Sequence, residues 1–105
     1  MNIECREEII ELLKLTSALP PLQRILILAY AAADQDETGT VLETGVKIAE
    51  DIGMSVQLFS RVRRELIGSG WLEEDVPARI GNVRYYRLTE KAAGQASNVI
   101  ALRSA

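Results

Sequence analysis

The sequence predicts a mainly α-helical fold carrying a small antiparallel β-hairpin, an α+β domain, and three observations lead there. Apolar side chains recur at helical spacing through the first two thirds of the chain. Two short helical segments flank a glycine turn at Gly53. Beyond Gly70, two aromatic-rich segments lie either side of Pro77 and Gly81-Asn82, as the strands of a hairpin do. With 105 residues, 48% of them hydrophobic and 26% charged, the chain suits a single domain over residues 1–105 with one core.

The first helix is expected from Ile3 to Ser17, within an N-terminal segment 1–18. Ile3, Cys5, Ile9, Ile10, Leu12 and Leu13 cover about half of its wheel, more than a helix covering one side of a core requires. This predicts either burial on two sides, against its own domain and a second copy, or a helix broadly buried in a monomer. Cys5 reads as a small buried apolar residue.

"LPPLQRILILAYAAA" restarts the chain. Leu19 before Pro20 is extended, the second proline suits a first helical turn, and Leu22 to Ala33 is apolar nearly all round, which makes it the central helix. In the acidic loop that follows, Asp34, Asp36, Thr38, Gly39 and Val41 match the first, third, fifth, sixth and eighth places of a calcium loop. The twelfth place, where a bidentate glutamate is needed, is Gly45. The expectation is therefore a surface turn and a short strand at Thr40 to Leu42, with no metal.

Residues 44–67 carry the most information. Thr44 can cap a short helix, Gly45 to Ile52; Gly53 stops it, Met54 fills the turn, and Ser55 caps the next helix. This is a helix-turn-helix plan, with small Ala49 where the two helices approach. On the second helix Leu58, Val62, Leu66 and Phe59 fall within roughly 100° and form the buried face. Ser60, Arg64, Gln57 and Arg61 lie within a separate arc of roughly 100° that contains no acid. A solvated face usually mixes acids with bases. Gln, Ser and Arg are instead side chains that bond base edges and phosphates in a major groove. Arg63 sits at the border of the arc, placed for a phosphate or an internal carboxylate.

Gly70 closes that helix. Trp71 to Asp75 and Val83 to Thr89 then form a hairpin over residues 71–89, with Arg79 expected near its tip and Arg84 and Arg87 on opposite strand faces. A hairpin directly after the second helix is a wing, and Arg79 is placed to meet a minor groove or a phosphate beside it. Tyr85 and Tyr86 read as half-buried packing residues rather than a stacking platform for single strands. Thr89 caps a last helix over 90–105, whose thin strip of Ala92, Ala96, Val99 and Ile100 needs another helix to pack against.

Net charge is −3, yet it is unevenly spread. Residues 1–54 hold four basic and ten acidic side chains, a balance of −6, while residues 55–91 hold seven basic and five acidic, a balance of +2. An acidic domain can thus present a basic face. The chain has one cysteine and no histidine, which excludes the usual Cys/His zinc site and the commonest acid/base catalyst. No enzyme and no cofactor are expected. The longest apolar run, Ile25 to Ala33, is far short of a membrane span and the N-terminus lacks a signal pattern, so a cytoplasmic protein is expected.

From "LTSALPPLQRILILAYAA" through "KIAEDIGMSVQLFSRVRRELIGSGWLEE" to "YRLTEKAAG" the chain resembles winged helix-turn-helix transcription regulators, most nearly the MarR-like group. The resemblance covers about Leu15 to Gly94. It departs from the group at the wing, where Pro77 replaces the aspartate two residues before Arg79. The resemblance implies a homodimer held by helices from both ends of the chain, which sets two recognition helices, here Ser55 to Ile67, into successive major grooves of a pseudo-palindromic operator, with Val76 to Asn82 as wing.

The expected function is sequence-specific binding of double-stranded DNA by a repressor-like regulator. Its contacts are Ser55, Gln57, Ser60, Arg61, Arg63, Arg64, Arg79 and Arg84, and its dimer contacts are Ile3, Ile9, Ile10, Leu12, Leu13, Val99 and Ile100. A plasmid or phage partition-site binder would share these features. A winged-helix adaptor that binds protein through the acidic first half is the alternative from another class. The sequence leaves any small-molecule effector unassigned.

Overall fold

The computed structural model describes residues 5–91. Helix α1 spans Arg6–Leu15, with Glu7 and Glu8 in its first turn and Lys14 in its last, the distribution that suits the helix dipole. It ends at Leu15, short of Ser17, and the Thr16 hydroxyl and N–H both donate to the Leu12 carbonyl, at 2.9 and 3.0 Å. Arg24 then closes the same end, donating to the Leu13 carbonyl at 2.9 Å. Cys5 is exposed, contrary to the burial expected of it, because it precedes the first turn in an extended conformation.

Helix α2, Pro21–Ala32, begins with proline at a position whose N–H would have no helical partner. It buries Leu26, Ile27, Tyr30 and Ala31 and packs against α1 and the later elements, which makes it central to the core. The following loop is a turn built on one carboxylate. Asp36 Oδ1 accepts from the Thr38 N–H at 2.9 Å, the Thr38 hydroxyl at 2.8 Å and the Thr40 N–H at 3.0 Å. Strand β1 is only Thr40–Val41; Leu42, expected within it, lies outside and is 56% exposed.

Helices α3, Gly45–Asp51, and α4, Val56–Gly68, start where the caps predict. The Thr44 hydroxyl accepts from the Lys47 N–H and the Ser55 hydroxyl from the Leu58 N–H, both at 3.2 Å. Between the helices Gly53 takes φ +70°, and the Met54 N–H returns to the Ala49 carbonyl at 2.9 Å. Ala49 is fully buried, which lets α3 and α4 approach closely.

Strands β2, Leu72–Glu74, and β3, Tyr86–Leu88, pair antiparallel, with Glu73 opposite Arg87 and Glu74 opposite Tyr86. Both are shorter than the sequence suggests, since a 3-10 turn containing Pro77 occupies Val76–Ala78; beyond the strands the hairpin continues through the Asp75 N–H to Tyr85 carbonyl bond at 2.9 Å and an isolated Ile80–Val83 bridge. The larger difference is that β1 joins the far edge of β3, with Val41 opposite Tyr86, giving a three-stranded sheet in the order β1-β3-β2.

The core runs from Leu12 through α2 to Phe59, Val62, Leu66, Trp71 and Leu88. Each fully buried Leu or Phe contributes about 1.5 to 3 kcal/mol relative to its exposed state. After β3, the Thr89 hydroxyl donates to the Gly70 carbonyl at 2.6 Å and Lys91 Nζ to the Ser69 carbonyl at 3.1 Å, fastening the chain to the end of α4. The helix expected after Thr89 lies outside the described residues beyond Lys91. Among the described residues no helix is long and apolar enough to cross a membrane. A three-helix core with a helix-turn-helix and a small sheet carrying a wing is a winged-helix fold.

Candidate nucleic-acid interface

The capped start of α4 fixes which residues face outward. Phe59, Val62 and Leu66 are buried and Leu58 is half-buried, so Gln57, Arg61 and Arg64 are exposed and Ser60 lies half-buried beside them. Ser55 is exposed, with its oxygen engaged as the helix cap. The one acid of α4, Glu65, accepts a hydrogen bond from Gln23 Nε2 on α2 at 3.3 Å. Among the described residues no carboxylate pairs with Arg61 or Arg64. The arc therefore offers two unneutralised guanidinium groups, an amide and a hydroxyl on a single helix face.

Arg63, proposed from the sequence as a border contact, has a different setting. Its guanidinium carbon lies 4.6 Å from the centroid of the Tyr86 ring and 5.4 Å from that of Phe59. It passes so close to Gly45 that a Cβ there would meet Arg63 Nη1 at 2.5 Å. It also acts on Tyr30, whose hydroxyl pKa is pushed up to about 12, chiefly by burial, with the positive charge of Arg63 opposing the shift. Neither a phosphate nor an internal carboxylate is needed to explain Arg63: it joins α4 to β3 and to the start of α3.

The wing requires a second correction. Arg79 is not a free cation at the tip. Its Nε and Nη2 donate to the two carboxylate oxygens of Glu74, each at 2.8 Å, and this fork holds it at the base of the loop. The turn itself is Ile80-Gly81-Asn82-Val83, with Gly81 at φ +58° and Ile80 69% exposed. Arg84 is exposed and has no carboxylate partner among the described residues.

Arg87, on the other strand face, donates to Glu73 at 2.9 Å and reaches Asp75 at 3.5 Å; the Glu73 hydrogen bond raises its pKa above the ordinary arginine value. The buried Asp75 also accepts from the Thr40 hydroxyl at 2.7 Å, which ties the wing base to β1. Tyr86 is buried, a packing residue as expected, and Tyr85 is half-buried.

Between the start of α3, the first half of α4 and the wing lies an open cleft of about 580 Å³. Ser60, Arg63, Asn82, Arg84 and Tyr86 line it together with Thr44, Gly45, Val46, Val56, Phe59 and Val83, and no acid does. Sequence reading named Ser60, Arg63 and Arg84 as contacts and put Asn82 at the end of the wing, but gave no role to Val46 or Val56. The exposed valines had a signal: each stands in the first turn of a capped helix, off the buried stripe.

Of the expected dimer contacts, Ile9 is 38% exposed and Ile10 and Leu13 are half-buried. Leu12 is fully buried in the chain's own core, so it faces inward and not toward a partner. Ile3, Val99 and Ile100 lie outside the described residues. Among the described residues no group of three or more Asp, Glu, Cys or His side chains is placed to hold a metal ion. The Asp36 carboxylate, considered for calcium, is used within its own turn.

No protein-family model matches the chain, and no curated protein matches it. Solved structures do. A crystal structure of the adhesin competence repressor AdcR from Streptococcus pyogenes is similar with a TM-score of 0.54 at 19% identity, over 93% of this chain and 69% of that one. A mutant of Lactococcus lactis ZitR in the apo form matches with a TM-score of 0.48 at 23% identity, over 87% of this chain. This chain spans 60% of the ZitR chain. At these identities the likeness is one of fold.

Proposed function

We propose that this winged-helix protein is a sequence-specific double-stranded DNA-binding protein, a repressor-like transcription regulator of MarR-like type that acts as a homodimer. The observation that carries the reading is α4: a capped helix whose outward face holds Gln57, Ser60, Arg61 and Arg64, with no carboxylate paired to either arginine among the described residues and its one acid bonded to Gln23. In a major groove, Arg61 and Arg64 meet guanine O6 and N7 and Gln57 meets adenine N6 and N7, the bidentate pairs that distinguish bases. Ser60 meets a base or a phosphate. Arg84 neutralises a phosphate beside the wing. The half-exposed Ile9, Ile10 and Leu13 of α1 favour a second copy as the partner of that helix. The similarity of fold to a solved repressor is consistent with this role.

Selection of bound sequences from a random duplex pool tests it. A palindromic consensus is the expected outcome, since a two-fold dimer reads two half-sites. A pool that shows no enrichment overturns the proposal.

The balance of −6 over residues 1–54 favours one other reading, an adaptor that docks protein through its acidic half. Binding to random duplex DNA separates them. The regulator has measurable affinity that falls steeply with salt, and the adaptor has almost none.

A further inference from the structure

Three exposed valines line the cleft: Val83, 38% exposed, stands on the wing, and the other two stand at helix starts. Val56 opens α4 and is 45% exposed; Val46, in the first turn of α3, is 57% exposed. Both line the cleft, and neither belongs to the core. Their branched side chains give no advantage in helix propensity at these positions. Solvent exposure gains them nothing either, and their place beside one cleft leaves apolar surface that a bound ligand can cover.

An anionic ligand suits the cleft, because the charged side chains that line it are the guanidinium groups of Arg63, stacked on Tyr86, and of Arg84, which is exposed. A second copy of this face would set those guanidinium groups against one another. Duplex DNA satisfies both demands: it is a polyanion, and the apolar feature of its major groove is the thymine 5-methyl group. Resting on the DNA-binding reading above, we infer that Val56 and Val46 form an apolar subsite for a thymine methyl, so that this protein reads thymine by its methyl group beside the bases read by Gln57, Arg61 and Arg64.

The test replaces each thymine of the selected consensus, one at a time, by deoxyuridine, which removes the methyl and keeps base pairing. Binding of each duplex is followed by fluorescence anisotropy for the parent chain, Val56→Ala and Val46→Ala. At one thymine per half-site the parent should lose about four-fold in affinity, the worth of one buried methyl-sized group. At least one valine variant should show no further loss at that position, while keeping the parent's response elsewhere. The inference is overturned if the consensus has no thymine, if every deoxyuridine duplex binds the parent as the thymine duplex does, or if both variants retain the full penalty. A chain that selects no duplex sequence fails earlier, at the selection, and overturns the DNA-binding reading itself.

Discussion

The guanidinium of Arg63 lies over the ring of Tyr86, 4.6 Å from its centroid, and this stack joins α4 to the middle strand of the sheet. Because Phe59 lies on the same group at 5.4 Å, Arg63→Ala should lower stability by about 1 to 2 kcal/mol, the worth of cation–π contacts that are partly desolvated. Arg63→Lys should recover only part of this, since an ammonium cannot lie flat on a ring. Urea denaturation of the two variants measures both values. An Arg63→Ala chain as stable as the parent would show that the stack contributes nothing.

Arg64 is exposed and has no carboxylate partner among the described residues. Arg64→Ala should cost about 1 to 3 kcal/mol on the selected site and relax the preference at one base pair. Titration against a set of duplexes with single base changes reads both effects. A uniform loss across that set would move Arg64 from base contact to phosphate contact.

Arg84 and Arg79 should differ, although the sequence places both on the wing. Arg84→Ala is expected to reduce the slope of log affinity against log salt by about one unit, the signature of one lost phosphate contact. Arg79→Ala should leave that slope nearly unchanged, because Glu74 already neutralises the guanidinium. Affinities measured across a salt series decide it; the reverse ranking would mean that the Glu74 pair opens when DNA binds.

Gly53 takes φ +70°, and a Cβ there would touch nothing within 4 Å, so any cost of a side chain comes from the backbone alone. Gly53→Ala should destabilise by about 1 to 2 kcal/mol, and Gly53→Asn by less, since asparagine tolerates the left-handed region. Equal stability of the three chains in urea would show that the turn relaxes.

The Asp36 pKa is depressed below its ordinary value of 3.8 by the Thr38 hydroxyl and then by the Thr40 N–H. A carboxylate with a depressed native pKa stabilises the fold above its unfolded pKa, and the contribution disappears as pH falls through the native value. Asp36→Ala should therefore be less stable than the parent at neutral pH, and the gap should close below pH 3.8. Thermal unfolding of both chains across that range checks it; a gap constant with pH would rule out the ionised turn as its source.

The parts of the fold legible in the sequence are those with local causes. Thr44, Ser55, Gly53 and Gly70 each act on residues within a turn of themselves, and all four stand where the caps and stops were expected. The outward arc of α4 was equally legible, because helical periodicity alone separates it from Phe59, Val62 and Leu66.

Contacts between distant segments left no such mark. The setting of Arg63 depends on β3 lying beside α4, and even the nearer Arg79–Glu74 pair depends on the 3-10 turn between the two residues, which no helical or strand period signals. The pairing of Thr40–Val41 with Tyr86–Leu88 was invisible for the same reason. Two residues of strand carry too little pattern to specify a partner far along the chain.

That pairing orders events in biosynthesis. Strands β1 and β2 are not neighbours in the sheet; β3 lies between them and pairs with both. A nascent chain that has not reached Tyr86 therefore carries two unsatisfied strand edges, the kind on which other molecules can add. Sheet closure waits for β3 to be made, and a truncation ahead of Tyr86 would yield a product prone to aggregate even with α1 to α4 intact.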